Sequence, residues 1–173
     1  RTFPAVVRYI NDSNYNQALT LNSPQDGVTY SFMPYSFSSF GGSYFSHAIL
    51  TNDFAPSPTG GMVRIAPVFR NGHSGYYSSS YQFSMTYSDA QIAGLSEASL
   101  RLYYWNGSGL AAEASSAVNA ASNMLTASPA QTGTWMVAGT PVASVEDTTT
   151  IRLPLIVRAQ SIDLALSDLE ITQ

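Results

Sequence analysis

The 173-residue chain has no cysteine and no lysine, and all seven of its basic residues are arginine. Without thiols there can be no disulfide framework, so packing and hydrogen bonds must hold the fold. Charge of either sign is scarce: Asp, Glu, Lys and Arg supply only 10% of residues, against roughly 25% in an average soluble domain. The formal net charge of −4 argues against nucleic acid as a partner, because phosphate backbones call for a basic face. No apolar run approaches the ~20 residues that a spanning helix needs, so no membrane span is expected. No leader-like segment opens the chain, which reads as a mature form or a fragment.

Aromatic and small polar residues stand where charge is missing. Eleven Tyr and eight Phe accompany abundant Ser, Thr, Asn and Gly, a composition suited to pleated, half-buried surfaces and to secreted proteins. Period-two alternation is plain in several places. In "VTYSF", Val28, Tyr30 and Phe32 share one side; in "SYQFSMTY", Tyr81, Phe83, Met85 and Tyr87 do. In "SLRLYYW", Leu100, Leu102 and Tyr104 oppose Arg101, Tyr103 and Trp105. Further strands are expected at 18–22, 44–51, 62–70, 133–138, 149–158 and 161–172.

Pro, Gly and Asn clusters punctuate these runs: "SPQDG" (23–27), "SFGGS" (39–43), "APSPTGG" (55–61), "RNGHSG" (70–75) and "WNGSG" (105–109). Such residues supply fixed or positive φ and read as turns. "DAQIAGL" (89–95) suits one helical turn, and the Ala/Ser stretch 111–122 reads as a loop. The expectation is an all-β fold, an antiparallel β-sandwich of about ten short strands with terminal strands available for intersubunit pairing. It divides into an N-terminal strand segment (1–16), a sandwich (17–147) and C-terminal donor or exchange strands (148–173).

The stretch "TYSDAQIAGLSEASLRLYYWNGSG" (86–109) resembles a segment of large secreted proteins of Chloroflexota-type filamentous bacteria. The matching positions are Tyr87, Asp89, Ala93, Gly94, Leu95, Glu97, Ser99, Leu100, Leu102, Tyr103, Trp105 and Gly107. "ALTLNSPQDGVTYSFMP" is similar to the opening of ZU5-like sandwiches. "LPLIVR" is similar to segments that punctuate the same secreted proteins, and "SIDLALSDLEITQ" resembles the first strand of Ig-like modules. The resemblance implies an extracellular, non-catalytic ZU5-like or Ig-like module, and it carries over no active site.

The residues themselves offer little chemistry. Nucleophilic catalysis needs a nucleophile beside a base, and the chain has two histidines. His47 shares a strand face with Phe45 and Ile49 and reads as structural; His73 falls in the "RNGHSG" turn and reads as solvated. Acidic residues are scattered apart from Glu146-Asp147, so paired-carboxylate glycoside hydrolysis is not supported. Asp89 and Glu97 flank one loop and are weak candidates for calcium, although Asp89 as a cap of the turn at 90–95 is the simpler reading. No cofactor is expected. Asn11-Asp-Ser and Asn106-Gly-Ser are sequons, a weak signal in a bacterial protein.

Two features bear on partners. "RTFPAVVR" at residues 1–8 returns as "IRLPLIVR" at 151–158. Phe3, Ala5 and Val7 match Leu153, Leu155 and Val157, and Ile162, Leu164 and Leu166 follow with their own alternation. Three apolar side chains on one face are worth on the order of 5 kcal/mol when buried, and Pro in each segment means that the strand sits at an edge or begins its pairing after the Pro. Copies of the chain joined by strand addition would form a filament; pairing of both segments within one sandwich is the simpler alternative. Tyr76, Tyr77, Tyr103 and Trp105 form a candidate aromatic contact surface. The expected function is a structural subunit of an extracellular bacterial filament, pilus or surface assembly. The alternative is an adhesive module that binds a surface glycan.

Overall fold

The computed structural model describes residues 5–37, 42–51, 55–75, 77 and 80–143. The chain divides into a unit of residues 1–143 and a unit of residues 144–173. The second unit lies outside the described residues, and with it the strands expected at 149–158 and 161–172.

Among the described residues, twelve strands form two antiparallel sheets that pack as a sandwich. They are β1 (Ala5–Ile10), β2 (Leu19–Ser23), β3 (Val28–Phe32), β4 (Ser43–Ile49), β5 (Val63–Arg64), β6 (Phe69–Ser74), β7 (Gln82–Thr86), β8 (Arg101–Trp105), β9 (Leu110–Ala112), β10 (Ala117–Asn119), β11 (Met124–Ala127) and β12 (Thr134–Gly139). One sheet runs β1-β4-β6-β12-β8-β9, with β5 also on β12; the other runs β10-β11-β7-β3-β2. The segment at residues 5–10 therefore belongs to the sandwich, as the edge strand of the larger sheet.

The alternation written in the sequence becomes the division between core and solvent. Leu19, Leu21, Val28, Tyr30, Phe32, Phe83, Met85 and Leu125 point inward from the smaller sheet, and Ile10, Phe45, Phe69, Leu102, Trp135 and Val137 from the larger. Tyr30 centres an aromatic cluster, with ring centroids 5.0 Å from Phe45 and 5.5 Å from Tyr81. Each fully buried Leu or Phe in such a core contributes about 1.5–3 kcal/mol.

A second, smaller core lies on the opposite face of the larger sheet. Val68, Met136 and Ala138 are buried there beneath Leu50, Ala55, Met62, Tyr103 and Leu110. The connection between β4 and β5 folds back across the sheet, so β12 is covered on both sides. This explains why "TWMVAG" lacks alternation: Trp135 and Val137 serve one core, Met136 and Ala138 the other.

Three local expectations are corrected. "RNGHSG" is strand β6 and not a turn, because flanking strands β4 and β12 both pair with it and override the Asn-Gly signal. The Ala/Ser stretch 111–122 holds the end of β9, all of β10 and a short 3-10 turn at Ala120–Ser122 instead of a plain loop. Asn123, at φ 48°, then reverses the chain into β11. The turn after β7 is closed by Gln91, whose Oε1 accepts from Ser88 N–H at 2.8 Å. Asp89 is not its cap; it accepts from Asn123 Nδ2 at 2.8 Å.

Candidate functional site

Polar chemistry in this molecule is concentrated in the core. His47 enters from β4, and Asp26 enters from the turn between β2 and β3. Their side chains are 1% and 0% exposed, with His47 Nε2 2.9 Å from Asp26 Oδ2. That contact is off the ideal hydrogen-bond line, so it acts as an electrostatic pairing. The other ring nitrogen, Nδ1, lies 2.7 Å from the Tyr30 hydroxyl. With Nε2–H turned to the carboxylate, Nδ1 is the acceptor of the phenol proton.

Burial by itself would raise the Asp26 carboxyl. The close His47 imidazole, the Ser23 side chain and the Val28 N–H together outweigh it and hold Asp26 below its ordinary value. Burial pushes the Tyr30 phenol well above its ordinary value, which keeps it a neutral donor. Asp, His and Tyr side chains are catalytic currency elsewhere. Here the imidazole is sealed between two sheets, with both nitrogens engaged. The arrangement ties one sheet to the other and offers no face to a dissolved molecule.

A second buried network is organised by Asn71 on β6. Its Oδ1 accepts from Gly133 N–H at 2.8 Å and from Trp135 Nε1 at 3.1 Å. Its Nδ2 donates to the Tyr81 hydroxyl at 2.8 Å, and Tyr81 donates onward to the Gln131 carbonyl at 2.9 Å. One amide thus fixes β6, β12 and the approach to β7 through three hydrogen bonds.

Of the sequence-derived contact residues, Tyr77 and Tyr103 pack against different cores. Tyr103 is half-buried against Met136 and Val68 in the outer core, because the chain's own β4–β5 connection covers that face. Trp105 is half-buried, in register with Leu110 and Thr134. Tyr77 packs on Phe37, with ring centroids 4.9 Å apart, and His73 stacks 5.1 Å from it at the end of β6. Tyr76 lies outside the described residues. Asp89 is bound to Asn123, whereas Glu97 accepts from the Tyr87 hydroxyl at 2.7 Å. Among the described residues, no cluster of three or more His, Cys, Asp or Glu side chains is placed to hold a metal ion.

Of the pairing residues, Ala5 and Val7 lie on β1 and face away from the core, opposite Ala48 and Ser46 of β4. Phe3, Leu153, Leu155, Val157, Ile162, Leu164 and Leu166 lie outside the described residues. Among the described residues, no helix is long and apolar enough to cross a membrane.

No protein-family model matches the sequence, and no curated protein matches it. The surface of the chain is therefore the ground on which its role is argued.

That surface has an aromatic end that composition only partly announced. The register sets Tyr9 of β1 beside Tyr44 of β4, with ring centroids 6.5 Å apart and edge to face. Tyr15 and Tyr35 form a second pair, 5.7 Å apart. Tyr9 and Met33 are each 70% exposed, and Tyr35 is 64% exposed. The run "MPYSF", which carries Tyr35, has the Tyr/Ser-rich composition of contact loops. Tyr9 gave no such signal, because nothing local tells an outward Tyr on an edge strand from an inward one.

Proposed function

We propose that this chain is a non-catalytic structural module of an extracellular bacterial filament or surface layer, joined to its neighbours by strand addition at the outer edge of β1, which no described strand pairs. The observation that carries this reading is the nature of that edge. Of the four outermost strands, β9 and β10 have three residues each and β2 has five. β1 has six, with Arg8 its one charged residue and with Val7 and Tyr9 exposed. Soluble proteins guard their long edges with charge, Pro, bulges or short strands, and along β1 itself Arg8 is the single guard of this kind.

The chain also carries a segment suited to occupy that edge. Setting Pro154 against Pro4 places Leu155, Ile156 and Val157 where β1 has Ala5, Val6 and Val7. The same alignment places Gln160 where β1 has Ile10, which is 1% exposed. A glutamine amide in that apolar site would lose its hydrogen bonds to water. Residues 151–158 of a neighbour therefore suit addition outside β1 better than replacement of β1. Low charge, absent lysine and the likeness to secreted modules support an extracellular setting.

Sedimentation velocity and electron microscopy of the full chain over a concentration series test the proposal. Polymers that grow with concentration are expected, and Val7→Lys or Val157→Lys should each abolish them without lowering the melting temperature. A chain that stays monomeric throughout, or polymers indifferent to both substitutions, would overturn the reading.

A further inference from the structure

The exposed tyrosines at one end of the sandwich call for a separate account. Strand β1 ends there, β3 ends there and β4 begins there, so Tyr9, Met33, Tyr35 and Tyr44 all emerge at that end. The two tyrosine pairs are linked through the turn after β1. Asn14 Nδ2 donates to the Tyr9 carbonyl at 3.1 Å, and Tyr35 N–H donates to the Tyr15 carbonyl at 2.9 Å.

Tyr35 is the decisive residue. Its φ is +62°, a left-handed conformation that costs a bulky side chain roughly 1 kcal/mol and that Gly or Asn adopts with less strain. The turn is held by Ser36, whose N–H and Oγ both donate to the Met33 carbonyl, at 3.2 and 2.7 Å. Ser36 and Phe37 are buried while Met33 and Tyr35 stand in solvent. Burial therefore explains neither the choice of Tyr at a strained position nor its neighbour Met33. Strain kept at an exposed aromatic residue marks a contact site.

The chemistry around the tyrosines selects the partner. The adjoining turn supplies Asn11, Ser13, Asn14 and Gln17, all amides or hydroxyls. Arg8 and Asp12 carry opposite charges nearby, so the end has no net field to attract a polyanion or a lipid headgroup. Among the described residues at this end, the one flexible apolar side chain is Met33, too little for the apolar centre of a protein interface. Tyrosine rings offer flat apolar faces with a polar tip. Neutral sugar rings offer C–H faces rimmed by hydroxyls, and the two surfaces complement each other.

We infer that the tyrosine end formed by Tyr9, Tyr15, Met33, Tyr35 and Tyr44 is a binding surface for a neutral polysaccharide. This surface shares Tyr9 with the β1 edge but draws otherwise on side chains at the loop end, whereas strand addition uses the backbone edge.

Affinity electrophoresis of the full chain in gels containing soluble β-glucan, galactomannan or xylan tests the inference. Retardation by at least one of these is expected. Tyr35→Asn and Tyr44→Ala should each weaken it about tenfold or more, which corresponds to about 1.4 kcal/mol. Val63→Ala, a change at an exposed residue elsewhere, should leave retardation intact. Tyr35→Asn should melt no lower than the parent chain, because Asn accepts the left-handed backbone. Four outcomes would overturn the inference: no retardation in any gel, retardation that survives both tyrosine substitutions, retardation abolished by salt, or a fall in melting temperature for Tyr35→Asn.

Discussion

His47 Nε2 stands 2.9 Å from Asp26 Oδ2 inside the sandwich, and neither side chain reaches solvent. Removing the imidazole strands a buried carboxylate, which costs about 3–5 kcal/mol in comparable buried pairs. His47→Ala should lower the urea midpoint by a corresponding amount. A loss below about 1 kcal/mol, the ceiling for an exposed pair, would show that the pairing holds nothing together.

The same pair sets a pH dependence. The folded carboxyl of Asp26 titrates below its unfolded value of 3.8. Its stabilising contribution is therefore complete above that value and is lost as pH falls through the lower, folded one. Asp26→Asn should remove this part of the acid limb while lowering stability near neutrality. Urea unfolding at a series of pH values reads both effects. An acid limb unchanged in Asp26→Asn would refute the assignment.

Asn71 satisfies Gly133, Trp135 and Tyr81 at once. Asn71→Leu is close in size but leaves the Gly133 and Trp135 N–H groups without their acceptor, at about 1–3 kcal/mol each, while Tyr81 keeps its bond to the Gln131 carbonyl. The expected result is a loss of at least about 2 kcal/mol, with Trp135 fluorescence shifted because its indole N–H is released. A variant that melts like the parent would mean that water replaces the amide.

Gly27 turns β2 into β3 at φ +70°, and a Cβ there would sit 2.9 Å from the Thr86 carbonyl oxygen. Gly27→Ala should destabilise by more than the roughly 1 kcal/mol of left-handed strain alone, because the backbone it meets cannot swing aside. Thermal unfolding measures this. Neutral behaviour would show that the hairpin relaxes freely.

Met136 tests whether the second face of the larger sheet is a core. Met136→Ala should cost about 2–5 kcal/mol, as cavities in packed interiors do. A negligible cost would restore that face, Tyr103 included, as an open platform.

The sandwich was legible because strands β2, β3, β7 and β8 alternate strictly: Leu19, Tyr30, Phe83 and Leu102 each announce an inward face. β12 was legible as an apolar run, although its two-sided burial was not, since no local signal says that residues 55–62 will fold across it. β6 was misread because Asn71-Gly72 imitates a hairpin turn. Gly72 is tolerated in the strand because Ser46 faces it across the ladder. The structural reading of His47 followed from its neighbours Phe45 and Ile49. Its partner Asp26 was out of reach, since it lies 21 positions away and enters from the opposite sheet. Tyr103 and Trp105 looked like a platform because alternation reports the second face of a strand without reporting what lies over it.

Strand β12 has cover above and below, and neighbours β6 and β8 on either side. Water must undo three separate layers of contact before it meets the amides of Met136, Val137 and Ala138. Those protons should be the last in the molecule to trade for deuterium, released only when the whole sandwich comes apart. In a chain without a single cysteine to cross-link it, such a sheathed spine would serve as its slowest clock.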